Sequence, residues 1–343
     1  QKQVAVSGPR QRDGPKHAIS FAGRPFSGTK LRATSGYNTR ALRLFKAATI
    51  AEASVQDMNN EFHIEGSVKV AEGEGSLPKV VLNHENGGSA EMYLFGACVT
   101  SWVQAHGSEV LFVRPDAKFD GEKPISGGIP HCFPQFGPGA MQQHGFARNL
   151  NWRLVASSAD NGHPSVTVEL TENDYTRAMW DFSFKALYTV TLTESQLTCE
   201  FKAINTDDKP FDFDTALHTY IEVLDASNDQ VCVMGLKGKS YKDKTVDPND
   251  PPIVEETREA VQFGSSLVDS VYLNTDPIAL LDVGTGCSVS IENAQGYSDT
   301  VVWNPHMTME ACWKNFVCVE SAKVGEKVTL GPGEEWTGVL NLG

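Results

Sequence analysis

Four segments concentrate polar side chains among glycines, prolines and aromatics, and they hold the residue types that move protons or grip a polar ligand. The first, "RPDAKFDGEKPISGGIPHCFPQFG", runs from Arg114 to Gly137; its prolines and the Gly127-Gly128 pair preclude a regular strand, so it reads as an elaborate loop. The second, "QQHGFARNLNW", brings Gln143, His144 and Arg148 within six residues. The third, "DFDTALHTYIEV", places His218 in a strand, and the fourth, "FVCVESAKV", places Glu320 at the end of an apolar strand. His218 in a strand is a candidate catalyst. A carboxylate that ends an apolar run must be paired or perturbed if it points inward, because an isolated buried charge is costly. Plainer readings stand beside these. His218 fits a core or surface histidine, Asp212 and Asp214 a solvated face, and Arg148 a ligand of loop carbonyls. No Walker loop, HExxH, GxSxG or Cys/His metal spacing occurs, and no helical pattern follows "SGGIPH" as a nucleotide loop requires.

The elements that must position these residues are strands. "FKALYTVTLTESQLTCEFKAIN" alternates Phe184, Ala186, Tyr188, Val190 and Leu192 on one face, turns at Glu194–Gln196, then alternates Leu197, Cys199, Phe201 and Ala203. "SVTVEL", "QVCVMGL", "IALLDV", "SVSIEN", "TVVWN", "FVCVE", "KVTL" and "WTGVLNL" are short, β-branched or aromatic, and bounded by Gly, Pro, Asn or Asp. No stretch of fifteen residues carries an amphipathic helix. Strands without intervening helices predict an all-β fold, a single large antiparallel sandwich domain over residues 66–343. The Pro-rich stretch Lys237–Glu256 reads as a surface insertion.

Charge divides the 343-residue chain in two. The first fifty residues hold ten Lys or Arg against one acid, Asp13, whereas the net charge of the whole chain is −14. So acidic a body has no general attraction for nucleic acid or anionic lipid, and an anionic substrate needs local cations. Residues 1–55 are basic, Ser-containing and acid-poor. Leu42, Phe45, Ala48 and Ala51 share one helical face near the end of this leader. That describes an organelle transit peptide, with a disordered basic tail that binds a partner as the alternative. Seven cysteines with no CxxC pair argue against a disulfide framework and for a reducing compartment. No apolar run approaches the roughly 18 residues of a membrane-spanning helix.

At the four polar segments the chain resembles the glucose-6-phosphate 1-epimerase (hexose-6-phosphate mutarotase) branch of the aldose 1-epimerase family. The match runs from "EGEGSLPKVVL" at Glu72 to the C-terminus through "KPISGGIPHCFPQFGPG", "QQHGFARN", "ALHTY", "VDSVYLN", "WNPH" and "FVCVE". The resemblance implies a galactose-mutarotase-like β-supersandwich. It also implies interconversion of the α and β anomers of glucose 6-phosphate without a metal or organic cofactor. By motif, His218 matches the acid that protonates the ring oxygen and Glu320 the base that takes the anomeric hydroxyl proton, acting from opposite sides of the substrate. His144 matches a hydrogen-bonding group near the ring oxygen, Asp269 a carboxylate that holds sugar hydroxyls, and Gln143 and Arg148 substrate-binding positions, Arg148 being suited to phosphate. Similarity to plant and algal members implies a plastid location for the leader, with the cytoplasm as the alternative. A monomer or weak oligomer is expected.

Two positions depart from the family pattern. Ser126 stands where many members carry an arginine that contributes to phosphate binding, and Ser270 stands where a basic residue is frequent. Arg114 is then the expected substitute, with Lys118 and Lys123 behind it. These departures leave two rivals to the phosphosugar enzyme: a mutarotase for free hexoses, and a lapsed carbohydrate-binding or scaffold subunit of a plastid assembly. A lapsed enzyme would be expected to lose the acid or the base, and both are present.

Overall fold

The computed structural model describes residues 53–343, so the basic leader and its expected helical face lie outside the described residues. Among the described residues, antiparallel sheets of four, eight and nine strands form the framework. The hairpin read from alternation is present: Phe184–Leu192 pairs with Leu197–Asn205 in an unbroken nine-residue register. Every second side chain of both strands is buried, since only one face of the sheet meets the core.

The eight- and nine-stranded sheets face each other. Phe213 and Leu217 from one, and Tyr188 and Phe201 from the other, belong to one continuous apolar cluster. Phe133 packs edge-on against both Phe201 and Phe213, at 5.3 Å each between ring centres. The four-stranded sheet, spanning residues 68–103, adds Val80, Met92 and Trp102 to the same cluster.

Three sequence expectations change. Ordered chain precedes residue 66: a helix, Val55–Phe62, starts at a capping box formed by Ser54 and Asp57. Its Asn59 side chain exchanges hydrogen bonds of 2.7 and 2.8 Å with the Val70 backbone, and Met58 is buried. Eight residues with one buried side chain are too short to register as a periodic stripe. "FVCVE" and "KVTL", read as separate strands, are parts of one fifteen-residue strand, Phe316–Leu330, so Glu320 is internal to it. The Lys237–Glu256 insertion is also structured. Ser240–Asp243 and Ile253–Glu255 pair as a hairpin on the edge of the eight-stranded sheet. Such an edge is solvated on several sides, which erases the apolar alternation.

Candidate active site

The eight-stranded sheet buries one face in the sandwich and turns the other toward the polar loops. On the loop side, cross-strand partners align in rows. Asp269 lies opposite Trp303, Trp303 opposite Cys318, and Cys318 opposite Tyr220. One row further, Val271 lies opposite Val301, and Val301 opposite Glu320. The floor around Glu320 is small and apolar: Cys132, Ala216, Val271, Val301 and Ala322.

His218 sits one residue beyond the strand Phe211–Leu217 rather than within it. The ladder stops because the His218 N–H donates to the Pro130 carbonyl, and Thr219 folds back to donate to the Leu217 carbonyl. The ring is then fixed by its neighbours. It stacks on Tyr220 at 4.8 Å and meets the edges of His144 and Trp303 at 5.6 and 5.7 Å.

His218 Nε2 lies 3.5 Å from Glu320 Oε1, and both side chains are buried. The fold thus brings the two residues expected as acid and base within contact of each other. Glu320 Oε2 and His218 Nδ1 have no hydrogen-bond partner among the described residues.

Burial dominates the electrostatics of this pair and acts oppositely on its members. It pushes the Glu320 carboxyl well above its ordinary value, with the Asp269 charge adding to the effect. It lowers His218 to about 3, helped by the positive charge of Arg148. Burial thus favours a protonated carboxyl beside a neutral imidazole. The imidazolium–carboxylate form has the same proton count and differs by one transfer between neighbouring groups.

The remaining expected residues divide. His144, in the left-handed region at φ 64°, brings its ring to His218, and Gln143 lies beside it. Arg148 donates from Nη2 to the Gln143 carbonyl at 2.9 Å, while its Nε is buried without a partner among the described residues. Arg148 thus holds a loop and retains a donor. Asp269 faces the same side as Trp303, and its carboxyl is raised by burial, opposed by Lys244. Arg114 departs from expectation: its Nε and Nη2 donate to Asp116 at 2.9 and 2.7 Å, so its fork is already engaged. Ser270 is buried and points to the opposite face from Asp269, into the sandwich, so no charge is missing from the site there.

Sequence reasoning missed Lys244. Its Nζ donates to both Asp269 carboxylate oxygens, at 3.0 and 3.1 Å, and lies 5.8 Å from the Phe136 ring centre. Its charge reaches His144, His218 and Glu320. Only the pairing of Ser240–Asp243 with Val268–Tyr272 brings it there, and no local motif announces that.

The aldose 1-epimerase family profile matches residues 78–343. The chain belongs to the aldose 1-epimerase family. A Cenchrus ciliaris relative with the provisional name glucose-6-phosphate 1-epimerase is 37% identical over 289 residues, 78% of this chain and 84% of the relative. An Escherichia coli K12 protein with the same provisional name is 32% identical over 266 residues, 74% and 86% of the two chains. Among solved structures, a Salmonella typhimurium protein provisionally described as a mutarotase superposes with a TM-score of 0.73 at 27% identity, covering 82% of this chain and 94% of that one. The galactose 1-epimerase of Lactobacillus acidophilus, at 15% identity and TM-score 0.60, covers 80% of this chain and 98% of that one and shares the fold. Within this family fold the chain keeps a histidine and a glutamate in contact on the loop side of the eight-stranded sheet.

Proposed function

We propose that the protein interconverts the α and β anomers of a hexose 6-phosphate, with His218 as general acid and Glu320 as general base. The observation that carries this reading is the buried His218–Glu320 contact at 3.5 Å, each residue keeping one polar atom without a partner among the described residues. In the forward step Glu320 takes the proton of the anomeric hydroxyl as the carbonyl bond forms. The bond from C1 to the ring oxygen breaks, and His218 delivers a proton to that oxygen. The aldehyde then rotates about its bond to C2, and reclosure reverses the transfers on the other face. Both protons are returned, so the reaction needs no net acid or base. Asp269, held by Lys244, presents an acceptor for sugar hydroxyls, and Arg148 supplies positive charge on the loop side. The phosphosugar assignment is further supported by the names of the relatives in Cenchrus and Escherichia coli.

A free hexose is the second reading. It is favoured by Ser126 in place of a cation and by the engagement of Arg114 with Asp116. Proton exchange NMR on glucose 6-phosphate, glucose and galactose, with and without protein, separates the two. Faster anomer exchange confined to the phosphosugar supports the first reading. Equal acceleration of glucose supports the second, and no acceleration of any sugar refutes an enzymatic role. The proposed workplace is the plastid stroma. Fusion of residues 1–60 to a fluorescent reporter is expected to give plastid fluorescence, and a diffuse cytosolic signal overturns this.

A further inference from the structure

His144 contributes two ring nitrogens to the site, and their surroundings differ. Nδ1 faces inward. The Gly137 N–H donates to it at 3.2 Å, and the Cys132 sulfur lies 3.0 Å away. A backbone amide can only donate, so Nδ1 is the acceptor and carries no proton. The Cys132 thiol, fully buried, can then only donate to the same nitrogen. Burial keeps that thiol protonated and keeps His144 neutral. The single ring proton therefore belongs on Nε2, which lies 3.4 Å from the Gln143 carboxamide. With Nε2–H as donor, that carboxamide turns its oxygen toward the ring.

The backbone supports the same arrangement. The His144 N–H donates to the Gly137 carbonyl at 2.9 Å, and the His144 carbonyl accepts from the Phe133 N–H at 3.2 Å. These bonds hold a bulky residue in the left-handed region, a conformation that persists only where its surroundings enforce it.

We propose that Cys132, together with the Gly137 amide, is a positioning residue that holds His144 as the Nε2–H tautomer, so that His144 serves the sugar as a fixed hydrogen-bond donor. This rests on the mutarotase reading for its use, but the tautomer itself belongs to the ligand-free protein. In that role His144 donates to an oxygen lone pair, either the ring oxygen or a neighbouring hydroxyl. It does not act as a base, because its only basic nitrogen is occupied from inside.

The test combines long-range nitrogen–proton NMR of the imidazoles in the ligand-free protein with anomer-exchange kinetics. The His144 signals are assigned by their loss in His144→Gln. In the wild type, Nδ1 is expected at the shift of an unprotonated, hydrogen-bonded nitrogen and Nε2 at that of a protonated one, at every pH from about 5.5 to 8, around the ordinary imidazole pKa. Cys132→Ala removes one of two donors to Nδ1 and is expected to move the Nδ1 shift and lower kcat/KM about 3- to 10-fold. Cys132→Ser restores a donor and is expected to recover most of both. A protonated Nδ1 in the wild type overturns the proposal even if no variant folds. So does a Cys132→Ala protein with unchanged Nδ1 shift and rate, or a Ser variant no better than Ala. If the tautomer is as expected but no sugar is turned over, the function assignment fails while the tautomer stands.

Discussion

Phe213, Leu217, Val317 and Val319 point from their strands into the sandwich, whereas Ala216, Cys318 and Glu320 point from the same two strands toward the loops. The inward set joins one continuous apolar cluster and does one job, packing. In the outward set Ala216 meets small apolar side chains, Cys318 lies between Trp303 and Tyr220, and Glu320 leaves one oxygen without a partner among the described residues. One backbone thus serves two solvents, because neighbouring residues of a strand face opposite ways. Stability and chemistry are written on alternate residues, and they should be separable by mutation.

The largest expected effect is on the loop face. Glu320→Gln is nearly isosteric but cannot accept the hydroxyl proton, and loss of general base catalysis typically costs about 10²- to 10⁴-fold. Anomer-exchange NMR should show that loss with the near-ultraviolet circular dichroism unchanged. Retention of more than about a tenth of the rate removes Glu320 from the base role. His218→Asn is expected to lose a similar factor. On the opposite face, Phe213→Ala should cost about 3–5 kcal/mol of stability in a urea titration. The rate per folded molecule should stay within about threefold, since Phe213 touches Phe133 and Trp336 rather than the acid–base pair. A large loss of turnover per folded molecule in Phe213→Ala would break the separation.

Arg148→Ala tests the loop side more finely. A charge-assisted contact is worth about 1.5–3 kcal/mol, so KM for glucose 6-phosphate should rise about 10- to 150-fold while free glucose is little affected. Equal weakening of both sugars assigns Arg148 to the loop alone, through its bond to the Gln143 carbonyl.

The smallest effect is in the pH dependence of stability. In the fold His218 binds its proton only near pH 3, whereas an unfolded imidazole binds near 6.5. The unfolded chain therefore holds more protons between those values. The stability linked to a neutral His218 is complete above about 6.5 and is lost as pH falls toward about 3. His131, also lowered to about 3, contributes in the same direction. His218→Asn should make the acid-side decline shallower without abolishing it. Glu320 has the opposite sign. Its raised carboxyl favours the fold below the ordinary carboxylate range, and that contribution is lost as pH rises through the folded value. Glu320→Gln should consequently raise stability at neutral pH relative to acid pH. Urea titrations across the acid range, read against the wild type, measure both slopes.

Much of this two-sided design was legible in the amino-acid order. Alternation in "FKALYTVTL" and its neighbours marks strands directly, because burial on one face selects every second residue. "ALHTY" and "FVCVE" marked His218 and Glu320 as the expected acid and base by resemblance, and the fold brings the two side chains into contact. What stayed hidden depends on long-range pairing or on local partners. Lys244 reaches Asp269 through an exposed edge hairpin without alternation. Arg114 looked like a spare cation because nothing in "FVRPDA" tells whether Asp116 will fold back onto it. Ser270 looked like a lost charge until strand parity turned it inward.

The glycine pair beside Ser126 has a consequence for how such a site can be altered. A side chain at Gly127 would collide with the Val113 backbone, and one at Gly128 with the Val99 carbonyl; both glycines have positive φ. Neither position tolerates a larger residue without moving the backbone packed against it. Ser126 is half-buried, has its carbonyl engaged by the Arg114 N–H, and already carries a side chain. Redesign of sugar preference along this rim is therefore better begun at Ser126 than at the two glycines that follow it. Ser126→Arg is the substitution through which a phosphate-selective variant could be sought without rebuilding the loop.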